Sequence, residues 1–252
     1  MGKRERLDKL LIERGLVGSR EEGRGRIMAG EVLVNDQPLT KAGSLVDPEA
    51  VIQLKGKPLP YVSRGGVKLE KALEEFRVEV EGRIVLDVGA STGGFTDCLL
   101  GRGAGQVYAV DVGYGQLDWK LRKDPRVFIL EKRNIRYLES HELPRPPELA
   151  TIDVSFISLK LVLPQVKKLL TPRGEILALI KPQFEIGKGK VGKGGVVRRH
   201  EDHLLVIQEI GEAAKHLGLE VKGVTESPLL GPKGNKEFFI YLVKEDQGEI
   251  PE

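Results

Sequence analysis

Cysteine is nearly absent from this chain: Cys98 is the only one in 252 residues. One cysteine cannot form an internal disulfide or a cysteine-rich zinc site, so we expect neither disulfides nor a bound metal. Aromatic residues are also scarce, at 5% of the chain, and Trp119 is the one tryptophan. We interpret both Cys98 and Trp119 as packing residues.

Long apolar stretches are missing too, and no run approaches the ~18 residues that a membrane-spanning helix requires. The first residues, 1–6, are charged, and no apolar stretch follows them, so they do not predict a secretory signal. With 40% hydrophobic residues, the composition is that of a globular protein. We therefore expect a cytoplasmic protein without membrane contact, which argues against a pore-forming role.

Positive charge is concentrated in two patches, although the formal net charge is only +3. Residues 1–30 hold eight basic and five acidic residues, and residues 183–200 hold five basic residues against one glutamate. Such patches favour contact with phosphates; the alternative is a solvated surface in a charge-rich protein. The residues predicted to contact nucleic acid are Arg4, Arg6, Arg14, Arg20, Arg24, Arg26, Arg64, Lys188, Lys190 and Lys193.

Residues 1–58 have the pattern of a small separate domain. Regularly spaced leucines predict an amphipathic helix over 7–16. Ser19 is a suitable N-cap for a second helix, which Gly30 ends, and two strands follow. Gly23 and Gly25 lie inside the second helix, where each glycine costs about 1 kcal/mol relative to alanine and lowers the expected rigidity.

This order of elements, with arginines on the second helix, resembles the S4-type RNA-binding domain. The matching segments are Arg6–Leu11, Arg14–Leu16, Ser19–Arg20, Gly30–Asn35 and Lys41–Gly43. The resemblance implies that residues 1–58 bind RNA; the alternative is a protein-binding appendage. Residues 59–63 have the composition of a linker, because the prolines at and before it disfavour helix.

Residues 64–245 alternate between helical and strand patterns, and residues 246–252 form a tail. Helices are expected at 65–76, 94–100, 116–122, 159–170 and 201–216, and strands at 84–88, 107–111, 127–130, 149–154, 176–180, 219–225 and 237–243. Alternating βα units predict an α/β fold with a doubly wound, mainly parallel sheet. Ligands of such Rossmann-like sheets bind at the carboxyl ends of the strands.

A glycine-rich loop follows the first strand of this region. Its opening Asp87 suits the cationic groups of S-adenosylmethionine, and its later glycines would let the backbone approach a ligand closely. Asp111 ends the next strand and could accept hydrogen bonds from ribose hydroxyls. A nicotinamide nucleotide is the alternative, although Ser91 departs from its glycine pattern. The candidate cofactor contacts are Asp87, Gly89, Ser91, Gly93, Gly94, Phe95 and Asp111.

Four charged residues lie far apart in the sequence, each where a predicted element reaches the same edge of the sheet. Lys68 opens a helix, Asp153 and Lys181 end strands, and Glu237 begins the last strand. Any one of them is unremarkable as a surface charge, but the combination predicts a reaction centre. A Lys-Asp-Lys-Glu set is typical of RNA 2′-O-methyltransferases of the FtsJ-like kind, and this sequence resembles that superfamily.

Lys181 is the candidate proton handler of this set. A lysine amine is charged in water at neutral pH, so a general base requires desolvation or a second nearby cation such as Lys68. Alternatively, Lys181 stays charged and stabilises a developing alkoxide while the proton leaves late. The sequence leaves both roles open, and in either role Asp153 and Glu237 would orient the two lysines.

Other methyl acceptors fit the sequence less well. Residues 153–156 lack the two prolines with which amine methyltransferases grip a planar amine, and Cys98 lies in a helix, unsuited to act as a nucleophile on a pyrimidine carbon. We expect His200 and His203 on an exposed helix face rather than in a metal site. The glycine- and lysine-rich segment 185–195 is interpreted as a lid that closes on RNA.

An S4-type domain followed by an FtsJ-like domain resembles, over essentially the full chain, the TlyA-type ribosomal RNA 2′-O-methyltransferases, also called haemolysin A-like proteins. The resemblance implies methylation of cytidine ribose in 16S or 23S ribosomal RNA, with S-adenosyl-L-methionine as cofactor and ribosomal subunits as partners. The alternative is a ribosome-binding assembly factor with little or no catalysis. The complete set of four charged residues counts against that alternative.

Overall fold

The computed structural model describes residues 4–55, 60–187, 191–192 and 194–245. The chain divides into two compact units, residues 1–63 and 64–252. The elements of the first unit are β1 (Glu5–Arg6), α1 (Leu7–Glu13), α2 (Arg20–Met28), β2 (Val32–Val34), β3 (Gln37–Pro38), β4 (Leu45–Val46) and β5 (Ile52–Leu54). The sequence pattern predicted the two helices and the strands β2 and β5, but not the two-residue strands β1, β3 and β4.

The first unit packs its two helices on short antiparallel strands in the order β3-β2-β5, while β1 pairs with β4. The predicted N-cap is confirmed, because Ser19 Oγ accepts a hydrogen bond from the Glu22 backbone N–H at 3.1 Å. A side chain at Gly23 would place its Cβ only 3.3 Å from Val17 and 3.4 Å from Leu11. Close helix packing therefore offsets the helical cost expected for this glycine.

The described residues of the second unit form thirteen labelled helices and strands. They are α3 (Arg64–Phe76), β6 (Ile84–Val88), α4 (Gly94–Gly101), β7 (Gln106–Asp111), α5 (Trp119–Arg122), β8 (Val127–Glu131), β9 (Leu149–Ile152), α6 (Leu163–Leu169), β10 (Glu175–Ile180), α7 (Pro182–Glu185), α8 (His200–His216), β11 (Leu219–Glu226) and β12 (Phe238–Lys244), with 3-10 turns between some of them. Several boundaries differ from the prediction: α5 and β9 are shorter than expected, and the predicted helix 159–170 is a 3-10 turn at Leu159–Leu161 followed by α6. Pro164 explains the break, since it has no N–H to continue a hydrogen-bonded helix.

Seven strands form the sheet of the second unit in the order β11-β12-β10-β9-β6-β7-β8. The five strands from β10 to β8 are parallel, and β12 and β11 join antiparallel at one edge. The predicted mainly parallel α/β architecture is confirmed. Because the parallel strands all end at one edge, the loops after β6, β7, β9 and β10 lie next to one another there.

The two faces of the sheet are buried against different helices. Alternate strand residues such as Leu86, Ile152 and Ile180 belong to a core that also contains Val166 of α6 and Ile210 of α8. Side chains at the intervening strand positions point to the other face. The polar residues of the site are among them. Both faces are packed with buried apolar residues, among them Val85, Leu177 and Phe239 on the second face, and this second face leads to the site at the carboxyl edge.

Candidate active site

A cavity of about 780 Å³ opens at the carboxyl ends of β6, β7 and β9. That volume is within the range of pockets that bind cofactors and drug-sized ligands. Residues of three different loops line it: Gly89 and Ser91 after β6, Asp111 at the end of β7, and Asp153, Ser155 and Phe156 after β9. The cavity is therefore where a doubly wound sheet is expected to bind a ligand.

Lys181 and Asp153 form a direct ion pair beside this cavity. The Lys181 Nζ lies 2.5 Å from Asp153 Oδ1 and donates a hydrogen bond to Ser155 Oγ at 3.0 Å. Lys181 is 9% exposed. Because β9 and β10 are adjacent and parallel, the residues that follow them meet at the same edge, which brings these side chains together from 28 positions apart in the sequence.

Lys68 and Glu237 form a second, more deeply buried pair. Lys68 Nζ, in the first turns of α3, donates to Glu237 Oε2 at 2.6 Å, and Glu237 is 1% exposed. The other carboxylate oxygen of Glu237, Oε1, is buried and accepts no hydrogen bond from any residue that the structure describes. A buried acceptor without a donor is costly, so this oxygen is suited to receive a donor from a ligand.

The register of the sheet joins the two pairs. Strands β10 and β12 are antiparallel with Ile180 opposite Phe238, so Lys181 and Glu237 are the next pair beyond the ladder. Directly opposed residues of antiparallel strands place their side chains on the same face. The four predicted residues therefore form one alternating set of two cations and two anions at the edge of the sheet.

The glycine-rich loop is shaped by packing against the protein itself. Gly89 has φ +84°, and a Cβ there would lie 2.5 Å from the carbonyl oxygen of Asp153. At Gly93, with φ +96°, a Cβ would lie 2.2 Å from Leu121 of α5. Gly93 was expected to admit a ligand, but its missing side chain makes room for α5.

Asp87 does not line the cavity, which corrects its predicted contact with a cationic cofactor. Its carboxylate is fully buried and accepts hydrogen bonds from Thr96 Oγ1 at 2.6 Å and Thr151 Oγ1 at 3.2 Å. Burial raises the pKa of Asp87 to about 7, against the opposing effect of the two threonine hydroxyls. The residue instead fixes the end of β6 to β9 and α4, and so holds the loop that begins at Gly89.

Asp111 keeps the position that the sequence predicted, at the end of β7 in the cavity wall. Its two carboxylate oxygens accept backbone hydrogen bonds from Ser91 at 2.8 Å and Gly113 at 2.7 Å. The carboxylate thus joins the loops after β6 and β7, and each oxygen keeps further capacity to accept from a ribose hydroxyl.

Gly94 and Phe95 lie inside the protein rather than in the cavity wall. Phe95 is 3% exposed and stacks on Phe239 of β12, with ring centroids 6.1 Å apart. Both residues belong to the first turn of α4, whose inner face packs on the sheet. We therefore remove Gly94 and Phe95 from the residues with a direct ligand contact.

The sequence interpretation missed two residues of the loop after β9. Ser155 contacts Lys181, and Phe156 is 90% exposed with a φ of +64° that non-glycine residues rarely adopt. Phe156 packs on Phe184 of α7 at a centroid distance of 4.9 Å. A bulky apolar residue close after the candidate catalytic residue at a strand end could have indicated a ligand contact. The sequence interpretation of residues 153–156 used only the prolines that they lack.

The arginines of the first unit fall into three groups. Arg6 and Arg20 both donate to the buried carboxylate of Asp8, at 2.9 Å and 3.0 Å, and remain about half exposed. The Arg6 hydrogen bond contributes most to lowering the pKa of Asp8 to about 2. Arg14 instead donates to the backbone carbonyls of Pro48 and Ala50, so it braces a loop.

Arg26 is a correction to the predicted RNA contacts. It is 6% exposed and pairs with Glu22 one helical turn away, at 3.2 Å. Its position on α2 faces the core of the unit, and only the helical spacing, not the composition of the patch, distinguishes it from exposed Arg24. Arg4 and Arg64 are exposed, while the predicted lysines at 188, 190 and 193 lie outside the described residues.

Two further expectations, for Trp119 and His203, are wrong, and two, for His200 and Cys98, are confirmed. Trp119 is 68% exposed with Lys123 Nζ 4.7 Å from its ring centroid, because it opens the short helix α5 at the surface. His203 is 4% exposed, packs on Phe238 and lies 3.1 Å from the carbonyl oxygen of Val197, whereas His200 is exposed as expected. Cys98 is fully buried, as expected for a packing residue.

Two further kinds of feature, a metal site and a membrane-spanning helix, are absent from the part of the chain that the structure describes. No group of three or more histidine, cysteine, aspartate or glutamate side chains there could hold a metal ion. No helix within the described ranges is both long and apolar enough to cross a membrane.

Comparison with known proteins assigns the two parts of the chain to families. Residues 61–244 match the FtsJ-like methyltransferase family, and residues 5–52 match the S4 domain. The chain belongs to the FtsJ-like methyltransferase family. Its predicted enzyme class, methyltransferase, and its predicted cofactor, S-adenosylmethionine, are thereby confirmed.

Individual relatives are similar over nearly the whole chain. YqxC of Bacillus subtilis, described as a candidate rRNA methyltransferase, is 50% identical over 99% of this chain and 91% of its own. The 16S/23S rRNA (cytidine-2′-O)-methyltransferase TlyA of Mycobacterium tuberculosis is 45% identical over 96% of this chain and 91% of its own. A solved structure of a candidate hemolysin from Streptococcus thermophilus is 46% identical, covers 100% of this chain and 93% of its own, and superposes with a TM-score of 0.79.

Proposed function

We propose that this protein transfers a methyl group from S-adenosylmethionine to the 2′-oxygen of a cytidine ribose in ribosomal RNA. The observation that carries the proposal is the alternating set of two lysines and two carboxylates at the carboxyl edge of a methyltransferase sheet. The TlyA relative, with 45% identity, is named for this reaction on 16S and 23S rRNA.

The cavity beside this set suits the cofactor. It offers about 780 Å³, a left-handed glycine turn at Gly89 and the Asp111 carboxylate, which can accept from ribose hydroxyls. Ser91 and Asp111 would hold the nucleoside part, and the carboxylate of Asp153 in the cavity wall would supply negative charge that suits a cationic sulfonium. When bound, S-adenosylmethionine supplies a methyl group on a sulfonium that leaves as a neutral thioether.

The four charged residues act on the acceptor oxygen. The 2′-oxygen gives an electron pair to the methyl carbon and must lose its proton, and Lys181 is placed to receive that proton or to stabilise the alkoxide as it forms. Asp153 fixes the amine of Lys181, and Glu237 fixes that of Lys68. Much of the acceleration comes from this orientation, because positioned reactants avoid the entropic cost of meeting.

The first unit supplies the RNA affinity in this proposal. In this proposal residues 1–58 are the RNA-binding domain, residues 59–63 the linker and residues 64–245 the catalytic domain, while the predicted tail 246–252 lies outside the described residues. Arg6 and Arg20 present half-exposed guanidinium groups, and Arg4 and Arg24 are exposed beside them in sequence. Planar guanidinium groups bind phosphates with two parallel hydrogen bonds, which suits a structured ribosomal RNA.

The experiment incubates radiolabelled S-adenosylmethionine with 30S and 50S subunits and maps any label to its nucleotide. We expect label on a ribose 2′-oxygen with wild type, and a loss of about 10²–10⁴-fold in rate for Lys181→Ala. Lys215→Ala is the matched control, because Lys215 is exposed and pairs with Glu212 on α8. It should methylate like wild type.

Two other outcomes would reject the proposal. Label on a base, or equal rates for Lys181→Ala and wild type, would place the chemistry elsewhere. Tight subunit binding without label in any variant would instead indicate an assembly factor. The burial of two ion pairs argues against that reading, since such pairs cost desolvation energy that a purely structural site could avoid with apolar residues.

A further inference from the structure

Two oxygens hold the amine of Lys181, and only one of them belongs to the four charged residues. Lys181 Nζ lies 2.5 Å from Asp153 Oδ1 and donates to Ser155 Oγ at 3.0 Å. Ser155 is exposed and lines the same cavity as Asp153. Its hydroxyl therefore lies between the amine of the candidate proton handler and the space where a substrate enters.

We propose that Ser155 is a positioning residue for the methyl transfer, an inference that rests on the proposed function. The nitrogen of a lysine side chain is tetrahedral, and its own Cε occupies one of the four directions. Ser155 Oγ accepts a hydrogen bond along another direction, and Asp153 Oδ1 lies within ion-pair distance, so the space left around the amine for the ribose oxygen is restricted. Asp153 alone would leave the amine free to rotate about its Cε–Nζ bond while keeping the ion pair.

This arrangement works in either protonation state of Lys181. If the amine is neutral, one hydrogen is donated to Ser155 and the other faces the Asp153 carboxylate, so the lone pair takes the remaining direction to accept the 2′-hydroxyl proton. If the amine is charged, its third N–H takes that direction and stabilises the developing alkoxide. Ser155 thus aims the reacting group without contacting the methyl group itself.

The loop that carries Ser155 is anchored at its far end. Ser158 Oγ donates to Glu185 Oε2 at 2.6 Å, and the Leu159 backbone N–H donates to Glu185 Oε1 at 2.9 Å. Glu185 lies on α7, the short helix that begins directly after Lys181. The hydroxyl and the amine are consequently tied to the same short segment, which keeps their separation fixed. Rates of oriented reactions fall by about 10²-fold for a misplacement of about 1 Å.

Threonine and valine at position 155 give a matched test. The two side chains have the same shape, and only threonine has a hydroxyl. Single-turnover methylation would be measured with saturating S-adenosylmethionine and the subunit that wild type methylates, together with the binding of each. We expect Ser155→Thr to stay within about threefold of wild type and Ser155→Val to lose about 10- to 100-fold in rate constant, with both binding constants unchanged.

Each alternative result has a clear meaning. Equal rates for the threonine and valine variants, whether high or low, would overturn the role of the hydroxyl, since shape alone would then decide the rate. A valine variant whose loss appeared in substrate binding rather than in the rate constant would overturn it as well. If wild type produced no ribose methylation, the proposed function would fail first, and this inference with it. Unchanged thermal unfolding of the variants establishes that they are folded.

Discussion

The two units of this protein place charge in opposite ways. In the first unit a carboxylate, Asp8, is fully buried, while the two arginines that bind it, Arg6 and Arg20, keep about half of their side chains in solvent. In the second unit the cations Lys68 and Lys181 are themselves 9% exposed. The first arrangement presents cations to a partner, and the second removes them from water.

The difference corresponds to two different tasks. A phosphate backbone is bound by cations that stay accessible to solvent and are held in a fixed direction. A buried anion behind the cations is enough to hold them in this way. A reacting oxygen needs groups in a drier site, where each charge interaction is stronger and water does not compete. Each of the following experiments compares two matched residues, either from the two units or from two environments within one unit.

The largest effect is expected from breaking an ion pair in each unit. Glu237→Gln leaves the Lys68 ammonium buried without its partner, and we expect a loss of about 3 kcal/mol in the free energy of local unfolding. Glu13→Gln breaks the exposed Lys9–Glu13 pair and should leave the free energy of local unfolding almost unchanged, because solvent screens the pair. Urea-dependent hydrogen exchange, resolved for α3 and α1, measures both. Similar losses at the two sites would contradict the comparison.

The pH dependence of stability should have opposite signs at Asp87 and Asp8. The pKa of Asp87 is raised to about 7 by burial, so the folded state keeps its proton where the unfolded chain has lost it. Between about pH 4 and pH 7, wild type should therefore lose about 1 kcal/mol per pH unit relative to Asp87→Asn as the pH rises. The stability is greatest below the ordinary aspartate pKa, where both states are protonated.

The contribution of Asp8 to stability should change with pH in the opposite direction. Its pKa is lowered to about 2, chiefly by the hydrogen bond from Arg6, so its contribution is present above about pH 4 and is lost as the pH falls toward 2. Because the two arginines are half exposed, screening should limit the difference between wild type and Asp8→Asn to about 1 kcal/mol. Hydrogen exchange of α4 and α1 at matched pH follows the two units separately. Parallel trends in both would be incompatible with these shifts.

Substitutions at two glycines distinguish the effect of backbone strain from that of a steric clash. Gly89 and Gly82 both have positive φ, +84° and +72°, but a Cβ meets the Asp153 carbonyl at 2.5 Å at Gly89 and nothing within 4 Å at Gly82. Both substitutions to alanine carry the strain of about 1 kcal/mol. We expect Gly89→Ala to cost about 2 kcal/mol and to lower methylation strongly because Asp153 is displaced, whereas Gly82→Ala keeps its activity. Unfolding and methylation assays on the pair decide this.

The smallest effect is expected from two neighbouring arginines of α2. Arg24 is exposed and Arg26 is 6% exposed. Arg24→Ala should weaken binding of the full chain to ribosomal RNA by a few-fold and reduce the slope of log affinity against log salt by about 1. Arg26→Ala should destabilise α2 and leave that slope unchanged. A reduced slope for Arg26→Ala would restore it to the RNA-binding surface.

The sequence by itself determined the order of elements, because hydrophobic periodicity and turn residues are local. It predicted α3, the parallel strands and the N-cap Ser19, and it singled out the four charged residues from their types and their positions at the ends of elements. It also determined the family, since the motifs of both parts are carried by short segments. Boundaries shifted where a single residue intervened, as Pro164 did within the predicted helix.

Only the tertiary structure decided which partner each polar residue has. Asp87 looks like a cofactor contact in sequence, yet two threonines from other elements enclose its carboxylate. Gly93 looks like a ligand cradle, yet Leu121 occupies the space that its missing side chain leaves. Ser155 carries no pattern in the sequence and becomes visible only beside Lys181. Periodicity fixes which face a residue takes, whereas contacts between distant segments depend on strand order and register, which local patterns do not encode.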